Sequence, residues 1–257
     1  MSPRWLAALL LTFSLAAQAG QTCVDEPLTL PQIVRGMNLA QATVRKLDDS
    51  GAQVVMLARA GQNLNEYGLR WSHLGFAYRE PDGRWRVLHK LNECGSANSA
   101  IYRQGLGEFF MDRPYRYEAA FVALKPELQQ ALLPLLRGNG RVLSLNEPHY
   151  SMVAYAWGTR YQQSNQWALE TLAMAASDEV WNRASAQDWL QAHGYQPTEL
   201  HLSALTRLGA ETTRANITFS DHPNAKRFSG RIETVTVDSI FRWAPGAGLS
   251  SKVELIR

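Results

Sequence analysis

Three side chains in this 257-residue chain combine the residue types and settings that nucleophilic chemistry needs. Ser164 lies in YQQSNQWALE (161–170), where an apolar helix begins. A hydroxyl there meets the positive end of the helix dipole, and the free backbone N–H groups can hold an oxyanion. His73 opens the strand-like run SHLGFAYRE, and His89 sits in the next one, RWRVLHKL. An imidazole near its ordinary pKa of about 6.5 can take a serine proton, and a polar group on the adjacent strand can orient that imidazole. His89 alternates with Val87, so the two share a face, and His89 is the candidate for the orienting position. Serine is also a preferred helix cap, a role worth around 1 kcal/mol. Capping and catalysis are both open to Ser164.

Tyr150, Tyr155 and Tyr161 lie on the approach to that helix, and Asn165 and Gln166 form its first turn. Tyr150, Tyr161, Asn165 and Gln166 are the candidate substrate-binding residues; Trp167 reads as core. The chain lacks His-Glu-x-x-His, Cys-x-x-Cys, Gly-x-Ser-x-Gly and the phosphate-cradling glycine loop. The spacing of the six histidines offers no support for a metal site. No metal or other cofactor is expected. Asp221-His222-Pro223 reads as a turn rather than a dyad.

The elements that must position these groups are legible in part. Pro31 can start a helix along which Ile33, Met37, Ala40, Val44 and Leu47 recur at helical spacing, ending at Asp48-Asp49-Ser50-Gly51. Residues 52–59 read as a strand. The runs around Pro81-Asp82-Gly83 read as a hairpin, and Glu118 to Leu124 as a further strand of the same sheet. A helix runs from Pro126 towards Gly138, with Pro134 expected to kink or shorten it. Ser164 to Ala176 forms the next helix. Another begins near the capping-box match Ser185-Ala186-Gln187-Asp188 and stops at Gly194. ANITF (215–219) and GRIETVTVDSIFRW (230–243) read as strands.

The opening MSPRWLAALLLTFSLAAQAG has a basic start, an apolar run from Leu6 to Ala16 and the small-residue site Ala17-Gln18-Ala19. It reads as a bacterial secretory leader over residues 1–19, cleaved near Ala19, because its apolar run is shorter than the roughly 20 residues of a membrane span. No other stretch could span a bilayer. The expected location is the periplasm or the exterior. Losing Arg4 with the leader lowers the net charge from +3 to +2. That charge, without a basic cluster, gives no support for nucleic acid as a partner. Only Cys23 and Cys94 are present. In an oxidising compartment they are expected to form one disulfide, worth roughly 4 kcal/mol at most in the chain-entropy account. A reactive Cys94 is the alternative, though only His89 and Lys90 lie near it in sequence to activate it.

SHLGFAYRE after a glycine-led loop resembles the histidine strand of circularly permuted papain-like proteins, relatives of the NlpC-type cell-wall peptidases and of lecithin-retinol acyltransferase. In their order the histidine comes first and a cysteine at a helix start comes late. The resemblance implies His73 as the base, His89 as the orienting group and Ser164 in the cysteine's place. A second resemblance spans nearly the whole mature chain. The blocks RAGQNLNEYGLRWSHLGFAYRE, HKLNECGSANSAIYRQGLGEFF, YSMVAYAWGTRYQQSNQWALETLA, TRLGAE and ETVTVDSIFRW are similar, in order, to those of an uncharacterised bacterial family, the domain of unknown function numbered 2145. That family brings no established activity.

The expected fold is therefore α+β: a permuted papain-like (NlpC-type) domain over residues 20–257, an antiparallel sheet packed with helices and a β-rich C-terminal portion. Serine in place of cysteine, in a family without known activity, favours a degenerate cleft that binds cell-wall or envelope material. The alternative is an active amide or ester hydrolase, or an acyltransferase, using Ser164 and His73.

Overall fold

The computed structural model describes residues 27–138 and 140–257. In chain order it runs through helix α1 (Leu30–Asp49), strand β1 (Val54–Ala60), a 3-10 turn (Asn65–Tyr67), and strands β2 (His73–Arg79), β3 (Trp85–Asn92) and β4 (Ser99–Gly105). Helix α2 (Leu106–Phe110), strand β5 (Arg116–Ala123) and helices α3 (Pro126–Arg137), α4 (Arg141–Ser144), α5 (Ser164–Ala176) and α6 (Arg183–Ala192) follow. The chain closes through β6 (Thr198–His201), α7 (Ala204–Thr213), α8 (Asn224–Phe228), β7 (Arg231–Thr234), α9 (Val237–Gly246) and β8 (Glu254–Ile256). The expected leader and Cys23 lie outside the described residues. Cys94 falls in the turn between β3 and β4, and no cysteine among the described residues is free.

Six strands form one antiparallel sheet in the order β4-β3-β2-β1-β5-β8. The first strand in sequence is thus interior, flanked by β2 and β5. All seven residues of β1 are buried. Its alternation divides them between two cores: Val54, Met56, Ala58 and Ala60 on one face, Val55 and Leu57 on the other. The first face is covered by α3, α5 and α9 through Leu128, Leu132, Trp167, Leu172 and Ile240. The second is covered by α1 and α2 through Leu39, Leu47, Leu106 and Phe109. A small third core joins Leu200, Phe219 and Ile232 under the β6–β7 pair.

The helices obey their sequence signals with instructive exceptions. In α1, Gln32 reaches back to the Thr29 backbone N–H at 2.9 Å, and Gly51 follows the helix at φ +67°. Its buried face is Gly36, Leu39, Ala40, Thr43 and Leu47, whereas Ile33 and Met37 are exposed. The face is rotated because Gly36 lets α2 come close: a Cβ there would stand 3.2 Å from the Phe110 carbonyl oxygen. Pro134 does not shorten α3, since it falls in the last turn. The β-rich C-terminal portion is a correction. Only Arg231–Thr234 of the expected strand at 230–243 is extended, and 215–219 contains no strand. Thr236 and Ser239 form a capping box, and Val237, Ile240, Phe241 and Ala244 then recur at helical spacing. The alternation Val235, Val237 is the entry to a helix.

Gly75 shows how β2 and β3 share space. A Cβ there would lie 2.8 Å from Val87 Cγ1, 2.9 Å from His89 Cβ and 3.2 Å from the Leu88 carbonyl oxygen. Replacing Gly75 by alanine is expected to destabilise the fold by about 1–3 kcal/mol through overpacking, measured as a lower urea midpoint. An unchanged midpoint would mean that the close approach is not enforced.

Candidate functional site

Four neighbouring strands each place one polar side chain on the face under α1 and α2: Arg59, His73, His89 and Gln104. Arg59 pairs with His73 across β1 and β2, and Gln104 pairs with Val87, which shares the face of His89. His73 Nε2 lies 2.8 Å from His89 Nδ1, and His89 Nε2 lies 2.9 Å from Gln104 Oε1. Gln104 Oε1 only accepts, so His89 carries its proton on Nε2 and accepts at Nδ1. His73 then donates from Nε2, which leaves its Nδ1 lone pair unprotonated. The contact of the His73 ring to His89 is made through Nε2 alone.

Phe109 floors this row. Its ring centroid is 5.9 Å from that of His73, 5.2 Å from that of His89 and 4.7 Å from the Arg59 guanidinium carbon. Arg59 also donates to the Phe109 carbonyl and to the Asp112 carboxylate. Burial, then the Arg59 charge, holds His73 well below its ordinary pKa. The same two causes lower His89 to about 3, against the raising effect of Gln104. Both rings are neutral at pH 7.

Ser164 is not part of this constellation. It starts α5, which lies on the other face: Trp167 meets Phe76 at 6.2 Å between centroids, and Leu74, Phe76, Tyr78 and Leu88 share its core. Phe76 is three positions from His73, so their side chains point to opposite faces. The sheet and its packed hydrocarbon stand between the serine and the imidazoles. The structure does not bring Ser164 and His73 together, while His73 and His89 are in contact. Nor is Ser164 the cap: Gln163 is, accepting from the Asn165 backbone N–H at 3.0 Å.

The expected substrate cleft is also closed. Tyr150, Ser164, Asn165 and Gln166 are buried. Burial raises the pKa of the Tyr150 hydroxyl, against the lowering effect of neighbouring Ser164. Gln166 Nε2 donates to the carbonyls of Tyr155 and Ala156, both at 3.2 Å. These residues fasten the segment before α5 to the helix. Tyr161 keeps part of its surface, with the Arg160 guanidinium over its ring at 5.1 Å.

Lys90, which sequence reasoning passed over, is fully buried beside them. Its Nζ donates to Asn146 Oδ1 at 2.7 Å, the Glu147 carbonyl at 2.6 Å and Gln162 Oε1 at 3.0 Å. Burial, then Arg183, lowers its pKa to about 7. The signal was there: Lys90 alternates with Leu88 and so had to point into a core. Arg59 and Gln104 were visible in the same way, as polar residues sharing a face with His73 and His89.

Unfolded histidines titrate near pH 6.5, whereas these two stay neutral when folded. Below that value the unfolded chain binds more protons than the folded one, so stability must fall as the pH drops from about 7 to 5. The limiting slope is about 2.7 kcal/mol per pH unit for two protons, and His89→Gln should remove roughly half of it. Urea midpoints across that range provide the check; a flat profile would mean that neither ring is held neutral.

No curated protein and no solved structure matches the chain. A family profile described as "Uncharacterized protein conserved in bacteria (DUF2145)" matches residues 46–244, from the end of α1 into α9. That span holds the whole His73–His89–Gln104 row and α5, and the chain belongs to this family.

Proposed function

We propose that this chain is a secreted or periplasmic, non-catalytic binding protein of the bacterial cell envelope, built on a permuted papain-like arrangement whose nucleophile position has become core. The observation that carries this reading is the sheet lying between Ser164 and His73. A general base must come within about 2.6–3.2 Å of the proton it removes, directly or through one water. Tyr150, beside Ser164, is a phenol kept protonated by burial and supplies no base. Hydrolysis or acyl transfer through Ser164 and His73 is therefore set aside.

Two features of the papain-like pattern persist, the base-like His73 and an orienting His89. With no serine before it, His73 Nδ1 is suited to accept a hydrogen bond from a ligand N–H or O–H. The leader-like opening of the sequence supports the envelope as the place where that ligand is met.

A fluorophosphonate probe is expected to leave Ser164 unlabelled in the folded protein, while soluble peptidoglycan fragments bind in calorimetric titrations. Ser164→Ala should keep that binding, and His73→Asn should weaken it by about tenfold, the loss of one good hydrogen bond. Labelling of Ser164 would overturn the non-catalytic reading, and absence of fragment binding would overturn the choice of ligand.

A further inference from the structure

A second surface, separate from the histidine row, lies at the end of the sheet where β1 and β8 finish and β2 and β5 begin. A shallow groove of about 600 Å³ is lined there by Asn65, Gly68, Leu69, Arg70, Arg116, Glu118 and Arg257. Its lining carries three guanidinium groups against one carboxylate. Arg70 Nη2 donates to Glu118 Oε2 at 2.7 Å, and Arg257 Nε stands 4.0 Å from Glu118 Oε1. The hydrogen bond from Arg70, with the charges of Arg70, Arg116 and Arg257, holds the Glu118 carboxyl below its ordinary pKa. The field of the groove thus favours negative charge, and one carboxylate leaves it in positive excess.

Two of the arginines are held in place before any ligand arrives. Arg70 lies over the Trp71 ring at 4.9 Å and Arg116 over the Tyr115 ring at 5.4 Å. The loop carrying Arg70 is fixed by Asp238, which accepts the Arg70 backbone N–H at 3.2 Å and that of Trp71 at 3.1 Å. Such prior ordering lowers the entropic cost of binding. The Nε atoms of Arg70 and Arg116 are buried and have no hydrogen-bond partner among the described residues. The planar guanidinium fork matches carboxylate and phosphate oxygens.

We propose that the Arg70–Arg116–Arg257 groove is an oxyanion-binding site, taking a carboxylate or phosphate group of a ligand beside the carboxylate of Glu118. This goes beyond the non-catalytic reading and does not depend on it.

The test titrates the full chain at low ionic strength with citrate and, separately, with inorganic phosphate, following heat release and thermal midpoint. Saturable binding of at least one is expected, and the stronger of the two identifies the group the groove takes. Arg116→Gln and Arg257→Gln should each weaken it by about tenfold, the pair together by more, and added salt should weaken it further. Glu118→Gln should bind more tightly, because it removes the competing carboxylate. Arg257 is largely exposed, so its variant reports on binding with the core untouched. The proposal fails if neither anion binds the unaltered chain, or if both arginine variants bind as tightly as it does. If the unaltered chain binds neither phosphate nor citrate but still binds peptidoglycan fragments, this site alone is overturned.

Discussion

Every side chain of β1 is buried, and β1 has a strand on each flank. It therefore meets no solvent along its length, and the sheet around it must be two-faced. In such a sheet the parity of a residue decides its chemistry, because one step along the strand moves a group from one core to the other. His73 and His89 fall on the parity of α1 and α2; Lys90, one step beyond His89, falls on the parity of α5. The separation of the imidazoles from Ser164 follows from this constraint and not from any local feature of the serine.

Polar groups in both cores are held by neighbours chosen for them. Under α5, Glu170 and Arg183 are both buried and meet at 2.9 Å. Glu170 also accepts from Gln162 at 2.6 Å and Gln187 at 2.8 Å, while Arg183 donates to the carbonyls of Thr159, Gly158 and Tyr161. Burying such a pair rarely adds net stability, but breaking it by removing one partner is costly, by about 3–5 kcal/mol. The network thereby fixes how the irregular segment before α5 lies against the helix. On the opposite face burial, helped by the Arg59 charge, keeps two nearby rings from gaining a proton.

The parts of the fold governed by local rules were readable from the sequence. The hairpin around Pro81-Asp82-Gly83, the helix opened by Pro126 and the apolar stripe of α5 all appear where their residues point. The shared face of His89 and Val87 followed from alternation alone. What alternation cannot give is which helix covers which face, since that is decided by contacts between distant segments such as Phe76 with Trp167. The Ser164–His73 pairing failed at that step. The misread stretch at 235–243 failed for another reason: two valines at strand spacing outweighed a capping box whose serine lies three residues beyond its threonine.

Arg59 has one more consequence. The run Val54–Ala60 is otherwise wholly apolar, free of proline and glycine, and of the length that assembles into cross-strand aggregates when left uncovered. Its partner β5 begins more than fifty residues later in the chain, so during synthesis the strand must wait with one edge open. A cation placed one residue before its end acts as a gatekeeper against self-association until α2 arrives to cover it. The residue that adds to burial in keeping two imidazoles neutral in the finished protein also guards the nascent one.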